Sequence, residues 1–185
     1  TDVAQIQPGS TVLVLGGGVI GLLTVQLAKL AGANVMLATR NKAKRDLALR
    51  LGATAVIDPA ATDITAEIQS LSHGGADVVM ECAGVPETVE QAPKLARPGG
   101  RVVIVGVLAQ GLKVQYEPFD LLFREIDIRT SFLNPYTHHR AADLIANGRI
   151  EIEPLISRRA SLDEVPEIVA NPPGAGEVKV LAVPG

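Results

Sequence analysis

Five short apolar runs, separated by segments of helical pattern, occupy the first 105 residues, and no other feature of the chain restricts its fold as strongly. The runs cover Thr11–Leu15, Asn34–Ala38, Ala55–Ile57, residues 77–81 and residues 100–105. They are apolar at successive positions, which is typical of parallel strands buried on both faces. Strands that alternate with helices predict an α/β fold built on a doubly wound parallel sheet with right-handed crossovers.

Helical patterns connect these runs. In the first of them, apolar residues recur at helical spacing at Ile20, Leu23, Leu27 and Leu30. Asn41 is a candidate N-cap for the second, and Pro93 should weaken the end of the fourth. Together the patterns predict helices over residues 19–31, 42–51, 62–71 and 86–96.

After Gly106 the alternation ends. Residues 112–116 alternate apolar and polar side chains, as an edge strand does, and residues 127–132 predict a sixth strand. The chain then predicts a helical turn at 119–123, helices at His138–Ala146 and 163–170, and strands at 155–160 and 178–183. We therefore expect one α/β domain over residues 1–135 and a short α+β segment over residues 136–185, which packs elsewhere.

The strongest local motif is the Gly-x-Gly-x-x-Gly loop at Gly16, Gly18 and Gly21, because it follows a predicted strand and begins a predicted helix. Gly16 allows a tight turn, Gly18 lets a pyrophosphate approach the backbone, and Gly21 lets the helix lie close to the sheet. The helix N-terminus at Val19 and Ile20 offers N–H groups and a positive dipole to phosphates. The motif predicts a dinucleotide site in a Rossmann sheet of strand order 3-2-1-4-5-6.

The end of the second strand indicates which dinucleotide binds. An NAD site places an acidic residue there for the ribose hydroxyls, whereas this chain has Thr39 and Arg40. A guanidinium can bind a 2′-phosphate through a fork of hydrogen bonds, so Arg40 favours NADP over NAD. Arg45 lies one turn into the next helix and could reach the same phosphate, whereas Lys42 and Lys44 are interpreted as a solvated basic face.

Composition excludes several other classes of protein. The formal net charge of −3 over 185 residues argues against a general nucleic-acid binder. No apolar run reaches the ~18 residues of a membrane helix, and the first ten residues are too polar for a signal peptide. A single cysteine, Cys82, excludes a disulfide framework and a multi-cysteine metal site in this chain. These properties predict a cytoplasmic protein.

Four stretches, at residues 8–33, 44–58, 75–107 and 144–165, together resemble the nucleotide-binding half of the medium-chain dehydrogenases, the zinc-type alcohol, sorbitol and threonine dehydrogenases. They include VLGGGVIG, LRLGATAVID, GADVVMECAG and LARPGGRVVIVGV. Thr39, Arg40 and Arg45 resemble the NADP-using ketose reductase branch. The resemblance implies the cofactor-binding part of an oxidoreductase, which transfers a hydride between an alcohol or polyol and NAD(P).

The resemblance also implies which strand ends face the cofactor. It implies that Cys82, Ala83 and Gly84 lie near the adenosine ribose, and that Cys82 is a small filler rather than a nucleophile. After the fifth strand, Val105, Gly106 and Val107 would approach the nicotinamide. After the sixth, Ser131, Phe132 and Leu133 would line its other side.

The family's zinc ligands are not found in this sequence. In the family, a catalytic zinc is held by Cys, His and Glu residues of an N-terminal catalytic domain, which would precede Thr1. Here His73 stands in a glycine loop, and His138 and His139 are adjacent on a predicted helix, where they cannot chelate one metal as an i,i+4 pair would. We expect no metal site and no catalytic residue in this chain, zinc only in the full-length enzyme, and no activity from the chain alone.

Three alternatives compete with a zinc-type dehydrogenase. A short-chain reductase needs Tyr-x-x-x-Lys, but Tyr116 is followed four residues later by Asp120 and Tyr136 by Arg140. A methyltransferase would need a carboxylate on the second strand. A non-catalytic NAD(P)-binding regulatory domain remains open, and turnover of alcohols by the full-length protein would separate it from the enzyme.

The sequence also predicts a homodimer or larger assembly. An unpaired strand at residues 112–116 could pair with its copy in a second chain. Without the rest of the family's catalytic domain, apolar residues of the C-terminal segment such as Leu155, Ile156 and Val165 are expected to be exposed and to promote association.

Overall fold

A six-stranded parallel sheet forms the centre of the molecule, in a computed structural model that describes residues 2–72, 74–133, 136–171, 174 and 176–184. The strand order is β3-β2-β1-β4-β5-β6, which confirms the predicted fold class and topology. The strands are β1 (Thr11–Leu15), β2 (Asn34–Ala38), β3 (Ala55–Ile57), β4 (Ala76–Glu81), β5 (Ala96–Ile104) and β6 (Asp127–Thr130). Because all of them are parallel, their carboxyl ends lie at one edge of the sheet.

Side-chain caps determine where two of the helices begin. The Asn41 side chain accepts the Lys44 N–H at 3.0 Å, as predicted. Asp63 accepts the Thr65 N–H at 2.9 Å, so the third helix starts two residues later than the sequence pattern predicts. The helices are α1 (Val19–Leu30), α2 (Lys42–Arg50), α3 (Ile64–Leu71), α4 (Pro86–Leu95), α5 (Pro118–Phe123), α6 (His138–Ala146) and α7 (Val165–Ala170).

Helices cover both faces of the sheet. One face packs against α1 and α2, and the other packs against α3 and α4. The buried face of α1 carries Leu22, Val25 and Ala28. Its predicted apolar stripe is not this face, since Ile20 is 47% and Leu30 is 37% exposed. The helix thus carries two apolar stripes: the one that faces the sheet is fully buried, whereas the predicted one lies at its margin, where Leu23 is half-buried against the core.

The predicted edge strand at residues 112–116 is wrong. The segment has no regular secondary structure and lies against α4. The Gln115 N–H donates to the Glu90 carboxylate at 2.8 Å, and the Tyr116 hydroxyl donates to the Val89 carbonyl at 3.4 Å. Side-chain and carbonyl groups of a helix therefore replace a neighbouring strand, and β6 is the edge of the sheet.

The C-terminal segment docks on the sheet domain through α1. The buried Gln26 amide donates to the Glu151 carbonyl at 2.9 Å and accepts the Glu151 N–H at 2.7 Å. Leu155 is only 3% exposed and joins the core cluster of α1. Ile156 and Val165 are half-buried. The expected exposure of these three residues is therefore wrong.

The rest of the segment is built around a two-stranded parallel sheet, β7 (Ile156–Ala160) and β8 (Lys179–Ala182). Two short 3₁₀ helices, Glu153–Leu155 and Leu162–Glu164, lie on either side of β7. The predicted boundary at residue 135 lies outside the described residues, so the division into 1–135 and 136–185 stays a prediction. None of the described helices is both long and apolar enough to cross a membrane.

Candidate cofactor site

The glycine loop connects β1 to α1 at the carboxyl edge of the sheet. Gly16 has φ +104°, and a Cβ there would lie 2.9 Å from the Ala83 nitrogen. Gly18 is the N-cap of α1, and a Cβ there would enter open space. A Cβ on Gly21 would collide with the Gly16 carbonyl oxygen. The loop is thus tight at both ends and open at its centre, where a phosphate can approach the backbone.

Gly17, which the motif leaves unspecified, connects the loop to the next βα unit. It is buried, and a Cβ there would lie 3.0 Å from the Thr39 methyl group and 3.1 Å from the Lys44 Cβ. The close contact brings the end of β2 and the first turn of α2 against the loop. Three consecutive glycines were the available sequence signal, but the spacing rule gives a role to only two of them.

An open cleft lies where these two units meet. Its volume is about 410 Å³, and it is lined by Gly17, Gly18, Thr39, Arg40, Asn41 and Lys44. The Arg40 side chain is exposed, and it makes no hydrogen bond or ion pair within the described part of the chain. Its guanidinium can therefore turn to an anion in the cleft without breaking an existing contact.

The Arg45 side chain binds neighbouring protein groups rather than facing the cleft. Its Nη1 atom donates to the Thr39 carbonyl at 2.7 Å and to the Arg40 carbonyl at 2.9 Å, and it lies 2.9 Å from an Asp58 oxygen. The side chain is 16% exposed. The guanidinium thus holds the β2–α2 turn and the end of β3 together. Direct phosphate binding by Arg45 stays an untested prediction, and these contacts do not favour it.

The two lysines of α2 differ in environment. Lys42 is exposed and pairs with Asp46 at 2.7 Å, in agreement with a solvated face. Lys44 is half-buried beside Gly17 and lines the cleft, so the interpretation as a solvated face is wrong for Lys44. Lys44 is a candidate site residue that the sequence analysis missed.

The remaining predicted site residues lie at the ends of β4, β5 and β6. Cys82 packs below α1, where its Sγ lies 3.8 Å from the Thr24 hydroxyl, and burial raises the pKa of its thiol to about 12. This agrees with the filler role. Ala83 borders Gly16, and Gly84 lies against Val107. Val107, Phe132 and Leu133 are each at least 75% exposed at the same edge of the sheet.

Glu81 is a second residue that the sequence analysis missed. It ends β4 and is completely buried. Its Oε1 atom accepts the N–H groups of Ala83 and Gly84, each at 2.8 Å, and the Thr88 hydroxyl at 2.7 Å. The available signal was a carboxylate at the last position of a mostly apolar strand, directly before Cys-Ala-Gly.

The described residues include no group of three His, Cys, Asp or Glu side chains that could hold a metal ion. His73 lies outside the described residues. His138 is the first residue of α6, and His139 follows it.

Comparison with known proteins adds family information. Residues 19–147 match the model of a family described as zinc-binding dehydrogenase. The chain is 32% identical over 162 residues to sorbitol dehydrogenase of Bacillus subtilis, covering 86% of this chain and 46% of that protein. It is 30% identical over 159 residues to (R,R)-butanediol dehydrogenase of Neisseria gonorrhoeae, covering 85% of this chain and 44% of that protein. The chain therefore spans about half the length of these relatives.

A solved structure is more similar still. It is that of a protein from Sinorhizobium meliloti, described as a zinc-binding dehydrogenase bound to NADP. The TM-score is 0.94 and the sequence identity is 58%, over 99% of this chain and 55% of the other.

Proposed function

The chain belongs to the zinc-binding dehydrogenase family, and we propose that it is the NADP(H)-binding half of an alcohol or polyol dehydrogenase. One observation carries the proposal: the cleft beside Gly18 contains two cations, Arg40 and Lys44, and no acidic side chain lines it. An NAD site would need an acidic residue at this place. The NADP bound to the similar protein of S. meliloti supports the same cofactor.

Binding and orientation are the tasks of this chain. A dehydrogenase of this class moves a hydride from an alcohol carbon to the nicotinamide ring, and the cofactor supplies that chemistry. The first turn of α1 has N–H groups with no partner inside the helix, and these can donate to a pyrophosphate at Gly18. Thr39, Arg40 and Lys44 can hold a 2′-phosphate, and Arg45 keeps their turn in place.

Cofactor preference tests the proposal. We expect NADP⁺ to bind more tightly than NAD⁺, because a charge-assisted hydrogen bond contributes about 1.5–3 kcal/mol, or roughly 10- to 150-fold. The Arg40→Ala variant should lose that factor for NADP⁺ and almost nothing for NAD⁺. Isothermal titration calorimetry with both cofactors measures the two affinities.

Lys42→Ala is the matched control for this experiment, since Lys42 carries the same charge only two residues after Arg40, but its side chain is exposed and pairs with Asp46 rather than lining the cleft. It should leave both affinities unchanged, whereas Lys44→Ala should weaken NADP⁺ binding. NAD⁺ binding that equals or exceeds NADP⁺ binding in the unaltered protein would contradict the proposal.

The substrate and the metal depend on more than this chain. The similar sorbitol and butanediol dehydrogenases support a small alcohol or polyol as substrate. The described residues include no group of three His, Cys, Asp or Glu side chains that could hold a zinc ion, so the zinc ligands of the enzyme are assigned to its remaining part. We propose that residues 136–185 belong to the catalytic part of the full-length enzyme, with residues 1–135 as the dinucleotide-binding domain.

We also propose that the protein forms a homodimer through the β6 end of the sheet. No described strand pairs with the outer edge of β6, and the adjoining helix α5 exposes Phe119, Leu122 and Phe123 by 69%, 77% and 79%. A copy related by two-fold symmetry could cover this apolar helix and pair with the strand edge.

Substitution of Leu122 by glutamate tests the dimer. A buried charge at the centre of the interface should shift the protein to monomer, because an unpaired carboxylate is costly to bury. Light scattering coupled to size-exclusion chromatography measures the mass. Leu162→Glu is the control, since Leu162 is also exposed but lies in the C-terminal segment. A monomeric unaltered protein, or a Leu122→Glu variant that stays dimeric, would contradict this account.

A further inference from the structure

The end of β4 lies between the glycine loop and the end of β5. On one side, a Cβ on Gly16 would lie 2.9 Å from the Ala83 nitrogen. On the other, a Cβ on Gly84 would lie 2.9 Å from the Val107 nitrogen. The turn of residues 82–84 therefore has no room to shift without displacing one of its neighbours.

The Glu81 carboxylate determines the shape of this turn. Its Oε1 atom accepts both turn N–H groups, from Ala83 and Gly84, and the Thr88 hydroxyl of α4 donates to the same atom. The Glu81 main chain adds a second connection, because its carbonyl accepts the N–H groups of Val105 at 2.9 Å and Gly106 at 3.0 Å. One residue thus joins the ends of β4 and β5 to the start of α4.

The second carboxylate oxygen and the Gly84 backbone together leave no space for a side chain at residue 106. Glu81 Oε2 is buried and has no hydrogen-bond partner among the described residues. A Cβ on Gly106 would lie 2.5 Å from this oxygen and 2.5 Å from the Gly84 Cα. The Glu81 side chain, Gly84 and Gly106 are therefore in close contact beneath the 105–107 segment, whose exposed residue is Val107.

We propose that Glu81 is a positioning residue for the nicotinamide half of the cofactor. It touches no surface itself and acts through the 82–84 turn, which supports residues 105–107. The inference rests on the proposed NADP(H) binding and on the rule that β4 and β5 belong to the second mononucleotide unit of such a sheet. The 2′-phosphate cleft, formed by the first unit, does not involve Glu81.

Two substitutions that keep the length of the Glu81 side chain separate its role as a hydrogen-bond acceptor from its role in packing. Glu81→Met removes the acceptor, and Glu81→Gln keeps an oxygen for the turn. Each variant is titrated with NADP⁺ and with adenosine 2′,5′-bisphosphate, which carries the 2′-phosphate but has no nicotinamide. We expect Glu81→Met to weaken NADP⁺ binding about tenfold and the bisphosphate less than about threefold, and Glu81→Gln to retain both affinities within about threefold.

Equal losses for the two ligands, unchanged NADP⁺ binding by Glu81→Met, or a Glu81→Gln variant as defective as Glu81→Met would each overturn the inference. If Glu81→Met does not fold, Thr88→Val removes a donor to the same oxygen outside the turn and should selectively weaken NADP⁺, whereas an unchanged affinity counts against the role. Failure of the unaltered protein to bind NADP⁺ would instead refute the proposed function, so the two failures are distinguishable.

Discussion

Replacement of Gly21 by alanine is expected to lower the free energy of unfolding by about 3 kcal/mol, near the upper end of the usual cost of overpacking. The new methyl group would collide with the Gly16 carbonyl oxygen. Gly16 cannot withdraw easily, because its N–H donates to the Ala38 carbonyl at 2.9 Å and the Ala83 backbone is so close that even a Cβ on Gly16 would lie 2.9 Å from the Ala83 nitrogen. Helix α1 would have to move away from the sheet. Urea denaturation followed by circular dichroism measures the change.

Helix propensity alone would raise the stability of the Gly21→Ala variant, so a loss of stability can be attributed to the collision. Alanine is more favourable than glycine inside a helix by roughly 1 kcal/mol, so without a collision the variant would be more stable than the original protein. A midpoint of unfolding that stays the same or rises would show that α1 does not approach the loop as closely as described. Gly18→Ala, three residues away in the same loop, is the control for stability, because its methyl group meets no protein atom.

The first three strands could be predicted to the residue because their signals are local. Each is an apolar run that ends at a glycine or a polar residue, and β1, β2 and β3 have the predicted bounds. Local signals do not predict strand bounds that depend on pairing with a distant part of the chain. β5 begins at Ala96 rather than at residue 100, since Ala96 pairs with Ala76 across a bulge that no local pattern indicates.

At residues 112–116 the local pattern predicts a strand, but no described strand pairs with the segment. Their alternation of apolar and polar side chains indicates an extended segment with one solvent-exposed face. The segment does have half-buried Val114 and Tyr116 between exposed neighbours. An extended segment becomes a strand only if a neighbouring backbone supplies hydrogen bonds. Here α4 supplies the partners instead.

The basic cluster after β2 could be recognised from the sequence, but the tasks of its members could not. Which cation faces the cleft depends on how α2 is rotated, and that rotation is fixed by the Asn41 cap and by burial of Ala48 against the sheet. Arg45 finds its carboxylate partner, Asp58, at the end of β3, thirteen positions along the chain. The role of Glu81 likewise depends on the adjacency of β4 and β5. Such contacts become visible only after the strands have been placed in order.

Replacement of Gly18 by alanine is expected to weaken binding of NADP⁺ and NAD⁺ by more than about 100-fold while leaving the fold intact. The methyl group would occupy the open space at the N-terminus of α1, where the pyrophosphate must approach the backbone. Loss of two charge-assisted hydrogen bonds there removes about 3 kcal/mol or more of binding energy. Titration calorimetry measures both affinities, and the free energy of unfolding should fall by no more than about 1 kcal/mol, the cost of alanine at an N-cap.

The affinities for the two cofactors distinguish a loss of pyrophosphate binding from a loss of 2′-phosphate binding. Gly18→Ala should weaken both cofactors by the same factor, because the pyrophosphate is common to them, whereas Arg40→Ala should affect only NADP⁺. Gly174→Ala is the matched control, since its methyl group also enters open space but in the C-terminal segment. If Gly18→Ala bound both cofactors within about threefold of the unaltered protein, the pyrophosphate would have to lie away from Gly18, and the cleft lined by Arg40 and Lys44 would lose its assignment to the adenosine end.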